Sequence, residues 1–561
     1  PNTPDPAPSP APRTSRTPMN PSTFDWNTGY PSIRIPVFAR NVVATSQPLA
    51  AQAGLRMLYA GGNAIDATIA AAAAITIVEP VSCGLGSDAF AIVWDGNQLH
   101  GLNASGVAPA AWDRAYFERR HNGQIPMRGW DAVTVPGAVA GWAELHRRFG
   151  RLPFADVLQP AIELAERGYA VSPVLQQKWA AQVPVLCDQP GFAQAFMPHG
   201  RAPQVGERFE FAAAARTLRR IADTHGRDYY EGHVAEQLVA HARAHGGAMT
   251  LDDLRAYRPD WVGTIAKDYR GYTLHEIPPN GQGIAALMAL GMLSHFDLPS
   301  LHPDSADARH LQIEAMKAAF ADVYQYVGDI RHMTRVRPED LLDDGYLAER
   351  ARRIRLDRAT EFRHGTPPTG GTIYLTAADE QGMMVSFIQS NYMGFGSGVV
   401  VPEVGVSLQN RGYGFSLDPV HQNCVAPGKR PFQTIIPAFL MRDGRPQMSF
   451  GVMGGNMQPQ GHLQTLLRMI DWKQNPQAAC DAPRWKVNRG LSVDVESAMQ
   501  PDVVAELALR GHQLEAIDDP YMDFGSGQFI WRQSDAMENG RLVDGYVAAS
   551  DSRRDGCAAG F

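Results

Sequence analysis

The sequence predicts a layered α/β or α+β sandwich. Three observations point there. At 561 residues the chain is too long for one small core, so it forms several domains or one large layered body. From about Val42 to Val327 the patterns are mainly helical. After Thr372 short strand-like runs take over, and helical and strand-rich parts drawn into one body make a sandwich.

The helices come first. "PLAAQAGLRMLYAGGN" stops at Gly61-Gly62. The apolar run "ATIAAAAAITIV", Ala67–Val78, is bounded by Asp66 and Glu79. As a helix it rises roughly 18 Å, short of the roughly 30 Å hydrocarbon core of a bilayer, so it is a buried helix and no membrane span. "GAVAGWAELHRRFG" follows. "HLQIEAMKAAFADVYQYVGD" sets Met316, Phe320, Val323 and Val327 on one face, as a core-packing helix does. From Arg331 to Gly371 the chain turns polar and basic, then rich in proline and glycine, which marks a linker. Residues 1–30 are expected to be a disordered extension: the first 25 are Pro/Ser/Thr-rich without the apolar stretch of a secretory signal, and Met19 is a candidate start.

The strand runs are "TIYLTAA", "MMVSFIQS", "GVVVP", "VGVSLQ", "TIIPAFLM" and "QMSFGVM". Asp379–Gly382 reads as a four-residue turn joining the first two. That register sets Thr372 opposite Gln389, with Ser390 one residue further. Arg442-Asp443-Gly444-Arg445 closes a second hairpin, and "QGHLQTLLRMIDW" is a helix.

Composition narrows the function. An apolar fraction of 44% and a charged fraction of 19% are ordinary for a globular protein, and a net charge of −7 argues against nucleic acid. The five cysteines are odd in number, far apart and without metal-ligand spacing. No disulfide framework, metal or cofactor is expected, and a cytoplasmic location is. No G-x-S-x-G, P-loop or H-E-x-x-H is present.

The stretch "PPTGGTIYLTAADEQG", Pro367–Gly382, carries the chemistry. A flexible loop ends on Gly371-Thr372, and the threonine opens a strand. A turn feeding a strand accounts for this. So does a chain cut at Gly371–Thr372, which makes the threonine a new N-terminus. Its hydroxyl needs a base, and a free α-amine of pKa about 7.7–8.0 supplies one. Ser390 is placed to hold the hydroxyl. "GVMGGNMQ" offers Gly454-Gly455 just after a strand, either a tight turn or two N–H groups for an oxyanion.

Ordered blocks over most of the chain resemble the γ-glutamyltranspeptidase family of N-terminal-nucleophile hydrolases. They include "GGNAIDATIAAAAAITIVEPVSCGLGSDAF", "VTVPGAVAGWAELHRRFGRLPFADVLQPAIELAERGYAVS", "DYRGYTLHEIPPNGQG", "TIYLTAADEQGMMVSF", "GKRPFQTIIPAF" and "GVMGGNMQPQ". The resemblance implies an αββα four-layer sandwich built from two autoproteolytic fragments, 31–371 and 372–561, that stay together. It implies Thr372 as nucleophile, Gly371–Thr372 as processing site, Ser390 in place of a supporting threonine, and Gly454 and Gly455 as oxyanion glycines. Gln433 and Thr434 stand where two serines line the family's acyl pocket.

Departures from the pattern fall on the γ-glutamyl clamp. Ser105 stands at the place of the carboxylate-binding arginine, and Tyr392 at that of an asparagine. Arg411 and Gly414 replace a Gln-x-x-Asp pair, so the family's acid for the amino group is lost. The chain therefore resembles the family's acylase and amidohydrolase branch, of the cephalosporin acylase or oxamate amidohydrolase type. Arg411 is the candidate partner of a substrate carboxylate, its alternative being a structural arginine. A glutaryl-like donor is expected to be preferred over a γ-glutamyl one. The alternatives are a γ-glutamyltransferase or glutathione hydrolase with a modified clamp, and an unprocessed non-enzymatic relative. Expected partners are a small-molecule amide, water or an amine acceptor, and the two fragments of one precursor, with an oligomer of such heterodimers allowed.

Overall fold

A computed structural model describes residues 25–26, 32–362, 371–518 and 524–561. The expected extension over 1–30, apart from residues 25–26, and the end of the loop before Gly371 lie outside them.

Two antiparallel seven-stranded sheets form the centre. The first runs Cys557–Gly560, Val42–Thr45, Gly371–Ala378, Met384–Tyr392, Asp88–Trp94, Leu99–Ala104 and Asp260–Trp261. The second runs Val37–Ala39, Tyr546–Ser550, Gly527–Arg532, Arg445–Val452, Ala438–Arg442, Tyr272–Glu276 and Ile265–Tyr269. Phe90, Ile92, Tyr374, Ile388, Phe439 and Ile530 fill the layer between them. Helices Pro48–Tyr59, Ala64–Val78, Ala138–Phe149 and Phe154–Arg167 cover the outside of the first sheet. Helices Ile284–Leu293, Ala306–Tyr326 and Met457–Ile470 cover the second. This is the expected helix–sheet–sheet–helix sandwich.

Local chemistry explains the key elements. Asn63 accepts from the Ile65 and Asp66 N–H groups and Asp66 accepts from the Asn63 N–H, a capping box that starts Ala64–Val78. That helix is buried along its whole length, which its alanine and isoleucine content suits. In the second hairpin Arg442 pairs with Arg445 across a two-residue turn, with Asp443 at φ +51° and Gly444 at φ +73°.

The Val42–Val327 stretch is mainly helical, as expected, and it also supplies strands Asp88–Trp94, Leu99–Ala104, Ile265–Tyr269 and Tyr272–Glu276. One expectation is corrected. The first hairpin pairs one residue later than its four-residue turn implied, with Ile373 opposite Gln389 and Ala378 opposite Met384. The connection has five residues because Asp379 Oδ1 accepts from the N–H groups of both Gln381 and Met383 and holds Met383 in the loop.

Residues on either side of Thr372 are interleaved in both sheets. Gly371–Ala378 lies between Val42–Thr45 and Met384–Tyr392, and Ala438–Arg442 pairs with Tyr272–Glu276. A break at Gly371–Thr372 would leave both sheets shared between the two pieces, through the pairing of Val42–Thr45 with Leu375–Ala378 and of Tyr272–Glu276 with Ala438–Arg442.

Candidate active site

Gly371 pairs with Tyr392 and Ile373 with Gln389, so the ladder shifts at Thr372. With Ile373 opposite Gln389, strand alternation puts the Thr372 and Ser390 side chains on one face of the hairpin. Their hydroxyl oxygens lie 3.2 Å apart, and both residues are buried. The sequence-expected pair thus meets, though by a register one residue away from the expected one. Ser390 Oγ also accepts from the Tyr392 N–H at 2.7 Å. Tyr392 sits at φ +81°, a strained conformation for a bulky residue, and this hydrogen bond helps to hold it.

Gln458 supplies a third group. Its Oε1 accepts from the Ile436 N–H at 2.9 Å, which leaves its Nε2 to face Thr372 Oγ1 at 3.5 Å. Gln458 lies in the first turn of Met457–Ile470, and Gly454-Gly455 form the turn just before that helix. The two glycines adopt φ +119° and +61°. Among the described residues neither of their N–H groups has an acceptor. Two free N–H groups at the start of a fourteen-residue helix make a site for negative charge. Gln282 ties this turn to the opposite wall, since its Nε2 donates to the carbonyls of Gly455 at 2.9 Å and Thr434 at 2.6 Å.

Arg411 is 1% exposed. Its Nη1 donates to Thr434 Oγ1 at 2.8 Å, and its guanidinium lies 4.4 Å from the centre of the Tyr392 ring. Among the described residues its Nε and Nη2 have no partner. Burial pulls its pKa down to about 10, against the opposing pull of Asp88 and Tyr392. It is therefore a buried cation with donors to spare. The expected pocket residues Tyr392, Arg411 and Thr434 are one cluster.

Gln433 leads to a residue the sequence reading missed. Its Nε2 donates to Asp88 Oδ2 at 2.7 Å. Asp88 opens the strand Asp88–Trp94, next to Met384–Tyr392 in the sheet, and stands directly opposite Ser390. Burial pushes its carboxyl up to about 6, countered by the Gly106 N–H, Arg411, Arg430 and Gln433. Asp88 is thus a buried acid linked through the neighbouring Gln433 and Thr434 to Arg411.

Ser105 is committed to a different network. Its hydroxyl donates to Asn103 Oδ1 at 2.7 Å and accepts from Asn280 Nδ2 at 3.2 Å, and Arg430 donates to its carbonyl. Arg430 is itself held by Asp260 at 2.7 Å. The signals for Asp88, Gln282 and Gln458 lay in the blocks "GSDAF", "PNGQG" and "GGNMQ".

Among the described residues two groups are close enough to hold an ion, and both are engaged by the protein. His310 and His512 hydrogen-bond each other at 2.8 Å, and Glu314 pairs with Lys317. Asp551, beside Cys480 and Asp481, pairs with Arg484 and Arg553.

One prediction follows from the hydroxyl pair. Ser390→Ala removes a hydrogen bond that orients Thr372, so turnover is expected to fall about tenfold to a hundredfold, while Ser390→Thr keeps the hydroxyl and most activity. Steady-state kinetics on the purified variants checks this. Wild-type rates for Ser390→Ala would remove Ser390 from the site.

With the geometry in place, comparison with known proteins identifies the lineage. The gamma-glutamyltranspeptidase family model matches residues 50–561. The chain is 37% identical over 528 residues to the oxamate amidohydrolase proenzyme of Klebsiella pneumoniae, covering 91% of this chain and 97% of that one. It is 35% identical over 533 residues to the glutathione hydrolase-like YwrD proenzyme of Bacillus subtilis, covering 93% and 98%. Its fold matches the crystal structure of cephalosporin acylase from Bacillus halodurans with a TM-score of 0.91 at 47% identity, over 96% of this chain and 99% of that one. The chain belongs to the gamma-glutamyltranspeptidase family, among its acylases and amidohydrolases.

Proposed function

We propose that the protein cleaves itself at Gly371–Thr372 and then hydrolyses the amide of a short acyl donor that carries a carboxylate, such as glutaryl or another carboxyacyl group. The fragments are 31–371, with whatever precedes it, and 372–561. In processing, Thr372 Oγ attacks the Gly371 carbonyl, the peptide C–N bond breaks, and water hydrolyses the resulting ester. The freed α-amine of Thr372 then serves as base.

In turnover, the α-amine takes the Thr372 hydroxyl proton as Oγ attacks the donor's carbonyl carbon. The Gly454 and Gly455 N–H groups receive the oxyanion. Collapse breaks the amide C–N bond, and the α-ammonium returns the proton to the leaving amine. Water, deprotonated by the same amine, cleaves the Thr372 ester and releases the acid. Ser390 and Gln458 orient Oγ.

The observation that carries the substrate reading is Arg411, fully buried with Nε and Nη2 unpartnered. A guanidinium kept in that state is suited to an anion brought by the ligand. The names of two relatives agree with it, since oxamate bears a carboxylate and glutathione a γ-glutamyl group.

Donor kinetics tests this. Glutaryl-p-nitroanilide is expected to show at least about tenfold higher kcat/KM than pentanoyl-p-nitroanilide, which has the same length without the charge. Arg411→Met should remove the preference chiefly through KM, because the distal carboxylate binds alike in ground and transition states. Glycylglycine should stimulate release only weakly. Equal rates for the two donors would defeat the reading.

The second reading, a γ-glutamyl donor, gains one specific observation. Asp88 is an acid in the same pocket.

A further inference from the structure

Asp88, Ser390 and Thr372 form a row across three adjacent strands. Residues directly opposite in antiparallel strands point to the same face, so the Asp88 carboxyl lies on the face that carries the two hydroxyls. Two strand spacings put Asp88 about 10 Å from Thr372, within reach of the far end of a short acyl chain.

A chain of contacts links the acid to the cation. Arg411 donates to Thr434, and the neighbouring Gln433 donates to Asp88. Arg411 and Asp88 influence each other's charge, yet they make no direct ion pair. Among the described residues, Asp88 Oδ1, Arg411 Nε and Nη2 and Gln433 Oε1 are buried without a partner at hydrogen-bond distance, although the Gly106 N–H also favours the Asp88 carboxylate. Buried polar atoms are normally satisfied, and a buried charge without a partner is costly. A cation and an acid that are both incompletely paired and not bonded to each other match a ligand with an anionic end and a second polar group beside it.

We propose that Asp88 is the specificity-determining residue of the acyl pocket, selecting donors by the group they carry next to the carboxylate that Arg411 holds. This rests on the reading of Arg411 given above. The ionised Asp88 carboxylate accepts from an α-ammonium, as in a γ-glutamyl donor. The protonated carboxyl instead donates to the oxygen of a bare carboxylate, as in a glutaryl donor. It does the work of the acid that the resemblance puts at the position of Gly414, from the start of the strand Asp88–Trp94.

The carboxyl titrates at about 6, so donor choice follows pH. The other groups that act on it are Arg411, Arg430, Tyr229, Tyr230 and Tyr257. Burial moves the three tyrosines well above their ordinary range, and both arginines stay charged, so of these groups only Asp88 changes state between pH 5.5 and 8. The α-amine of Thr372 also titrates near this range, but it acts on both donors alike and cancels in their ratio.

The test uses the processed wild type and Asp88→Asn, which removes the charge and keeps an acceptor for Gln433. Release of p-nitroaniline from γ-glutamyl- and glutaryl-p-nitroanilide is measured at pH 5.5 and 8. Binding of L-glutamate and glutarate is measured by calorimetry at the same pH values. In the wild type the γ-glutamyl-to-glutaryl ratio should rise about tenfold or more between pH 5.5 and 8. In Asp88→Asn the ratio should lose its pH dependence and fall about a hundredfold at pH 8, with glutamate binding weakened and glutarate binding strengthened. A wild-type ratio indifferent to pH, or parallel changes for both ligands in Asp88→Asn, overturns the proposal. If neither p-nitroanilide is hydrolysed, the donor reading fails while the two acids still judge Asp88, and an absence of binding by both also overturns it. Should Asp88→Asn fail to fold, the wild-type pH ratio decides alone.

Discussion

Thr372→Ala protein is expected to run on a denaturing gel as one band of about 60 kDa, at roughly 110 Da per residue, and to release no product from any acyl donor. In the proposed chemistry the hydroxyl both opens the Gly371–Thr372 bond and takes up the acyl chain, so one substitution removes both reactions. Alanine keeps the backbone and leaves out only the hydroxyl and methyl groups, and the strand from Gly371 to Ala378 remains paired on both sides. Unfolding temperature should therefore stay close to wild type. Thr372→Ser should restore cleavage and part of the turnover, since a hydroxyl and a primary α-amine are again present. A Thr372→Ala protein that still separates into two fragments would move the nucleophile elsewhere.

Gly454→Ala is expected to leave KM nearly unchanged and to lower kcat about 10²–10³-fold, the cost of losing one oxyanion donor. The backbone here has φ +119°, which disfavours any residue with a Cβ. An added Cβ would also lie 2.9 Å from Gly525 Cα and 3.2 Å from Gly525 N. Those are backbone atoms, so the turn itself has to move, and the N–H groups of Gly454 and Gly455 lose their alignment. Gly96→Ala separates this effect from strain alone. Gly96 has φ +104° with open space around it, so that variant should lose some stability and keep its kcat. Equal kcat for wild type and Gly454→Ala, from kinetics on processed protein, would place the oxyanion site elsewhere.

Much of this arrangement was legible in the sequence, and its limits have physical causes. The first hairpin could be placed from two apolar runs and a turn, because strand periodicity is local. Its register could not, because Asp379 lengthens the loop through side-chain hydrogen bonds that residue counting does not see. The strands of the N-terminal half were lost among helices for another reason. "DAFAIVW" is buried on both faces, so it lacks the alternation that distinguishes a strand. At the site, the nucleophile pair and the glycine turn stood in motifs, and their meeting follows from one hairpin and one strand end. Asp88 did not stand out, because its role comes from packing beside Gln433, more than three hundred residues away in the chain. Ser105 illustrates the converse. Its position in the family pattern pointed to the pocket, whereas its hydroxyl is taken up by Asn103 and Asn280.

Everything in the proposed chemistry depends on where the small fragment begins, because only an N-terminal threonine carries its own base. Intact-mass measurement and N-terminal sequencing of the purified protein address this directly. The account predicts two fragments of about 40 and 20 kDa, at roughly 110 Da per residue, that co-purify because both sheets are shared, with the smaller one starting Thr372-Ile373-Tyr374. A small fragment starting at any other residue, or an uncleaved chain that hydrolyses amides at full rate, would contradict it.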